Sequence, residues 1–294
     1  MTVLVTGGAG FIGGKLIKRL LKYGHKVISI DKKPLTIKGV HHIVHNIAIP
    51  IENFNYQVDV IYHLAAQSGG YYSLENSYED CLDNSLGTHN IVKLAQKLKV
   101  SKFIYTSSMA VYGNGLEKVE TDLPAPISFY GASKLSGEHY TALLHRHSSI
   151  PYTIFRLFAT YGPDQDFNNK HQGILSIYLD QALRGSEVEI TGAPDRVRQL
   201  VHVDDVVDAL VLPLNTSKTD NQIYNVLQEQ SLTPQLIIDQ ISLALGRQLR
   251  VIEKDGYVGD QTLITGKSDK LASLGWNTTY SLEKGIEEWI NLLT

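Results

Sequence analysis

Val3-Leu4-Val5-Thr6-Gly7-Gly8-Ala9-Gly10-Phe11-Ile12-Gly13 decides how the rest of the chain is read. Val3, Leu4 and Val5 form a short apolar run, as a buried parallel strand requires. Gly7, Gly10 and Gly13 then punctuate the turn into an apolar-periodic segment, Phe11 to Leu21. A glycine turn between strand and helix leaves backbone N–H groups bare at a helix N-terminus, where a pyrophosphate binds. Asp31 ends a second strand-like run, where a carboxylate can accept hydrogen bonds from an adenosine ribose and repel a 2′-phosphate. That favours NAD over NADP. Lys32 and Lys33 soften the repulsion, and Asp-Lys-Lys-Pro is also a plausible turn. The spacing is G-x-x-G-x-x-G rather than the commoner G-x-G-x-x-G.

Working outward, apolar strands alternate with amphipathic helices. Thr2–Thr6, Lys26–Ile30, Val58–His63, Lys102–Thr106 and Tyr152–Phe155 read as strands. Phe11–Tyr23, Tyr78–Lys97 and Tyr130–Arg146 read as helices. This alternation predicts a doubly wound α/β parallel sheet with helices on both faces. The short interval between Asp31 and Val58 predicts an abbreviated crossover. Beyond Gly162-Pro163 the pattern loosens, with further helices at Ile174–Arg184, Pro234–Leu245 and Leu282–Leu292. The expected division is a dinucleotide-binding domain over 1–162, to which part of 200–228 returns, and a smaller C-terminal α/β lobe over 163–294.

With 294 residues, 43% of them hydrophobic, the chain can bury a substantial core. A formal charge of −3 predicts no general attraction to nucleic acid or an anionic membrane. The single cysteine, Cys81, excludes an intrachain disulfide and fits a reducing, cytoplasmic setting. The first strand starts beside Met1, which predicts no signal peptide, and no apolar run is long enough to span a bilayer.

Tyr130 and Lys134, at i and i+4 of a predicted helix, share one face. An ammonium beside a phenol stabilises the phenolate, so the pair is a candidate general base, although such pairs are more often solvated surface contacts. Ser107 and Ser108 follow a strand, at the edge where ligands bind in parallel sheets, and a turn or capping use competes with that role. Arg198 offers a guanidinium suited to a diphosphate, or simply a surface charge. His202 with Asp204 and Asp205 would suit a metal, but Asp204 reads better as a helix cap. His41, His42 and His45 have no acid or cysteine cluster at ligand spacing and read as ordinary residues, and no metal is expected.

Taken together, Thr6-Gly-Gly-Ala-Gly-Phe-Ile-Gly13, His63-Leu-Ala-Ala66, Asn84-x-x-Gly-Thr88, Ser107-Ser-Met-Ala-Val-Tyr-Gly113, Tyr130-x-x-x-Lys134, Arg156-x-Phe-x-x-Tyr-Gly-Pro163 and Val203-Asp-Asp-Val206 resemble the extended short-chain dehydrogenase/reductase family. Within it they are similar to the NAD-dependent sugar-nucleotide epimerase/dehydratase branch. Tyr224-Asn-Val226 and Leu274-Gly-Trp276 are weaker matches, and the resemblance runs nearly end to end. The glycine spacing is this family's form. The resemblance implies a Rossmann-type sheet with a smaller substrate lobe, a bound NAD and a nucleotide-diphosphate sugar as substrate.

By position, the resemblance makes Ser108, Tyr130 and Lys134 a catalytic triad. It assigns the cofactor to Gly7, Gly10, Phe11, Ile12, Gly13, Asp31, Asn46, Ile47, Leu64, Ala65, Ala66 and Asn84, with Tyr130 and Lys134. Ser73, Ser108 and Arg198 would meet the substrate. The sequence departs from the family at Asn46, where aspartate is usual, at Ser77, where proline is frequent, and at Ala159, where asparagine commonly touches the substrate's phosphates. The leading expectation is a 4-epimerase acting by transient hydride transfer through a keto-sugar. A 4,6-dehydratase would need acids where Met109 and Ala110 stand. The same residues would also suit a reductase or dehydrogenase, and a non-catalytic NAD-sensing binder would use the fold without its chemistry. The resemblance also implies a homodimer through the helices at Tyr78–Lys97 and Tyr130–Arg146. The apolar side of the first, Val92, Leu94, Ala95 and Leu98, suits a partner or its own sheet equally.

Overall fold

A computed structural model describes residues 1–169, 173–256 and 261–293. Among them, seven parallel strands form the central sheet. These are β1 (Thr2–Thr6), β2 (Lys26–Asp31), β3 (Val40–Val44), β4 (Val60–His63) and β5 (Lys102–Ser108), with Tyr152–Leu157 and Gln222–Val226. Across the sheet the order is Gln222–Val226, Tyr152–Leu157, β5, β4, β1, β2, β3. The chain winds outward from β1 in both directions, so a crevice opens at the carboxyl ends of β1 and β4, where open α/β sheets bind ligands.

Strand alternation divides the core between the two faces. Val3 and Val5 face α1 (Phe11–Lys22), packing with its Leu16, Ile17 and Leu20 and with Val206, Val207 and Leu210 of the Val203–Val211 helix. Leu4 faces the other way, onto Ile91, Leu94 and Ala95. The apolar side of the helix Gly87–Leu98 therefore lies on its own sheet. A separate cluster in the C-terminal half gathers Leu175, Leu179, Ile237, Ile241, Ile286 and Trp289. The Gln222–Val226 strand lies on the edge of the central sheet, beside Tyr152–Leu157.

Several elements differ from the sequence expectation. The interval after β2 holds no helix, as its shortness predicts, and Val40–Val44 within it adds the strand β3, which pairs with β2. Tyr78–Lys97 is not a uniform helix. It runs as an α-turn at Ser77–Asp80, a π-turn at Cys81–Leu86 and an α-helix at Gly87–Leu98. The Val203–Val211 helix is capped by His202, whose ring accepts the Asp204 N–H at 3.3 Å, so Asp204 sits inside the first turn rather than at its cap. Both Asp204 and Asp205 then lie at the positive end of the helix dipole. No helix among the described residues is long and apolar enough to cross a membrane, and no group of His, Cys, Asp or Glu there could hold a metal.

Candidate active site

A cavity of about 1360 Å³ runs along the carboxyl edge of the sheet and reaches the C-terminal half. Its floor is the glycine turn. Gly7 has φ +76°, and a Cβ on Gly13 would sit 2.1 Å from the Gly7 carbonyl oxygen. Only glycine at Gly13 lets α1 start this close to β1. α1 begins at Gly10 with no side-chain cap and no acid in its first turn, so its first amides remain available to an anion in the cavity.

At one end, Asp31 lines the cavity and steadies the glycine turn. Its Oδ2 accepts the Ala9 N–H at 3.0 Å, and its Oδ1 accepts the Lys33 N–H at 2.9 Å. Asn46 lines the same end and turns its own loop, accepting the Ala48 N–H at 2.9 Å. Ile47, Leu64, Ala65 and Ala66 complete this wall. The donor set fits a dinucleotide: a carboxylate for ribose, bare amides for pyrophosphate and apolar walls for rings.

Ser108, Tyr130 and Lys134 meet at the middle of the cavity. β5 delivers Ser108 at its last position, and the helix Phe129–Ser148 delivers Tyr130 and Lys134 on successive turns. Ser108 Oγ accepts the Ala110 N–H at 3.2 Å and so caps the turn Met109–Tyr112. Ser128 caps the helix by accepting the Gly131 N–H at 3.1 Å. Burial holds the Tyr130 phenol up at about 12; the Ser108 hydroxyl acts against it and the Asp80 charge pushes the same way as burial. Burial likewise pushes the Lys134 ammonium down to about 7, with Asp80 and Glu138 resisting. Desolvation is the largest influence on both groups.

Two expected site residues lie behind the cavity wall. Asn84 is buried and donates from Nδ2 to Asp80 Oδ1 and to Ser133 Oγ, both at 3.0 Å. Ser73 is fully buried and holds backbone: its Oγ donates to the Gly70 carbonyl and accepts the Tyr130 N–H.

Other residues here escaped the sequence reading. Glu138 grips Arg156 with two hydrogen bonds, at 2.9 and 2.8 Å, and accepts the Ser107 hydroxyl at 2.6 Å. Its signal was present, since Glu138 continues the i, i+4 row of Tyr130 and Lys134. Asp164 bridges to Lys15 and Lys18 of α1 at 3.3 and 3.2 Å, joining the segment after Pro163 to the glycine-turn helix. No local pattern marks that contact. At the far end, Arg196 and Arg198 both line the cavity, and Arg198 Nη1 donates to the Val197 carbonyl. Ala159 contributes only a methyl group to the same wall.

The chain is similar to known proteins along nearly its whole length. A putative UDP-glucose 4-epimerase of Methanocaldococcus jannaschii is 33% identical, over 98% of this chain and 97% of the relative. A dTDP-L-rhamnose 4-epimerase of Burkholderia thailandensis is 27% identical, over 98% of this chain and 94% of its own. Among solved structures, the UDP-glucose 4-epimerase of Thermotoga maritima with UDP-glucose superposes with a TM-score of 0.91 at 29% identity, covering 100% of this chain and 99% of that one. The UDP-glucuronic acid 4-epimerase of Bacillus cereus, in complex with UDP-glucuronic acid and NAD, gives 0.90 at 27% identity and covers 100% of both chains. Residues 3–226 match the family model itself, and the chain belongs to the NAD dependent epimerase/dehydratase family.

Proposed function

We propose that this protein is an NAD-dependent 4-epimerase of a nucleotide-diphosphate sugar. The observation that carries the reading is the convergence of Ser108, Tyr130 and Lys134 on one cavity that also reaches the glycine turn and Arg198. The names of its relatives, 4-epimerases of UDP- and dTDP-sugars, support the same reaction.

When bound, NAD would supply the acceptor and donor of the hydride. The glycine turn would hold its pyrophosphate and Asp31 its adenosine ribose. Ser108 orients the sugar hydroxyl, and Tyr130 takes its proton as the carbon beneath is oxidised to a ketone. Lys134 stabilises the phenolate and would hold the nicotinamide ribose. Arg198 with Arg196 would hold the diphosphate, a role that matters more where Ala159 offers no hydrogen bond. The keto-sugar then turns over, and Tyr130 returns the proton when the ketone is reduced on its other face.

Met109 and Ala110 line the cavity directly after Ser108 and carry no group able to transfer a proton. That weighs against elimination of water, which needs a second acid/base pair. We place the enzyme in the cytoplasm. We also propose that it works as a homodimer through the outer faces of the Cys81–Leu98 and Phe129–Ser148 segments, where Leu86 and Leu143 are exposed; light scattering showing a monomer contradicts the dimer.

The test of the reaction is proton NMR of UDP-glucose incubated with the purified protein, alongside absorbance of reduced nicotinamide. The reading predicts a mixture of C4 epimers with no net NADH. If UDP-glucose is inert, a screen of UDP- and dTDP-sugars follows; stoichiometric NADH release identifies a dehydrogenase instead.

A further inference from the structure

Asp80 is only 1% exposed and ends a turn packed against the helix that carries Tyr130 and Lys134. That turn leads into the π-turn Cys81–Leu86, which packs on the same Phe129–Ser148 helix. The widened turn places Asn84 where its amide bonds Asp80 Oδ1 and Ser133 Oγ together, and Ser133 Oγ donates onward to the Tyr130 carbonyl at 3.0 Å. π-turns inside helices recur at functional sites. The second oxygen, Asp80 Oδ2, is buried without a hydrogen-bond donor. Leaving a buried carboxylate oxygen bare is costly unless a cation faces it.

The charges around it are otherwise committed. Glu138 is held by Arg156 and Ser107, and Asp83 pairs with Lys32 at 2.7 Å. Tyr105 from β5 and His63 from β4 also face the cluster; burial keeps the first a neutral phenol and the second a neutral imidazole. Lys134 is 3% exposed, lies 4.5 Å from the centre of the Tyr105 ring, and has no hydrogen bond from Nζ among the described residues.

We propose that Asp80 is a positioning residue, the buried counter-charge that keeps the Lys134 ammonium protonated beside Tyr130. The proposal rests on the catalytic reading of Tyr130 and Lys134 given above. A lone ammonium in a dry wall sheds its proton, and a carboxylate in the same low-dielectric space offsets that tendency. Asp80 resists the burial that depresses Lys134, and its negative charge raises the neighbouring phenol as well. Burial in turn pushes the Asp80 carboxyl up, with the Lys134 charge opposing it and the Asp83 charge adding to it. Removing the charge lowers the titration of both groups.

The test is Asp80→Asn, which keeps an acceptor for the Asn84 amide. Lys134 is followed by side-chain NMR, its signal assigned by loss in Lys134→Met, and kcat for UDP-glucose is measured against pH. In Asp80→Asn the Lys134 titration moves down by about one pH unit or more, and both limbs of the kcat profile shift to lower pH. In Asp80→Glu, which keeps the charge, both stay in place. A Lys134 titration that does not move in Asp80→Asn, or one that moves as far in Asp80→Glu, overturns the proposal. If Asp80→Asn fails to fold, Asp80→Ser takes its place, with the same downward Lys134 shift expected and an unmoved Lys134 titration overturning the proposal. Turnover that survives Tyr130→Phe overturns the catalytic reading instead, while the NMR titration still decides the role of Asp80.

Discussion

The Ser73 hydroxyl accepts the backbone N–H of Tyr130 at 3.1 Å while donating to the Gly70 carbonyl at 2.7 Å. It thereby ties the loop after Ala66, whose Ser68, Gly69 and Tyr71 line the cavity, to the first turn of the helix that carries the phenol. Ser73→Ala leaves one helix-terminal amide without its partner and costs about 1 kcal/mol of stability. With the phenol less firmly placed, kcat falls further than KM rises. Steady-state kinetics and a thermal melt of the variant check both parts; a change in KM alone would return Ser73 to the role of a sugar contact.

Gly13→Ala puts a methyl group 2.1 Å from the Gly7 carbonyl oxygen. The helix must move off the strand, at a cost of about 1–3 kcal/mol, and the amides that face the cavity move with it. The expected result is a protein purified with far less NAD than the parent. Nicotinamide content after denaturation measures it directly, and parental loading would contradict this account of the glycine turn.

The Glu138–Arg156 pair is buried and doubly hydrogen-bonded. Removing one partner strands the other, so Glu138→Ala destabilises the fold by about 3–5 kcal/mol. Replacing both with apolar residues of similar volume costs much less. Denaturant midpoints of the single and double variants separate these outcomes.

His63 links β1 and β4 to the helix behind them. Thr88 spends its proton on the Asn84 carbonyl at 2.5 Å, so His63 Nε2 donates to Thr88 Oγ1 and Nδ1 accepts from Thr6 Oγ1. Burial, with the Lys134 charge adding to it, holds the imidazole down at about 3. Between that value and the ordinary value near 6.5 the unfolded chain binds the extra proton, so stability rises with pH across this window. His63 therefore contributes nothing unfavourable above about pH 6.5, and a growing penalty of up to about 1.4 kcal/mol per pH unit as pH falls toward 3. Urea midpoints at pH 7 and pH 5 should differ less in His63→Gln than in the parent.

Strand and helix identities in the first half were legible because Val3, Leu4 and Val5 alternate between two helix-covered faces and the glycines punctuate the turn. Asp31, Ser108, Tyr130, Lys134 and Arg198 were legible as chemistry, and the structure brings all five to one cavity. What escaped depends on tertiary placement. Asn84 and Ser73 carry the residue types of ligand contacts, yet the Asn84 amide nitrogen goes to Asp80 and Ser133 and the Ser73 hydroxyl to backbone. The π-turn has no local periodic signature, and the direction of the Tyr130 and Lys134 shifts follows from burial that spacing alone does not reveal.

The most direct test of the central claim, that Tyr130 moves the sugar hydroxyl's proton, is turnover by Tyr130→Phe, followed by proton NMR with the nucleotide sugar that the parent epimerises. The account predicts that kcat falls by about 10²–10⁴-fold while NAD stays bound and the fold is unchanged. Epimerisation at the parental rate would contradict it.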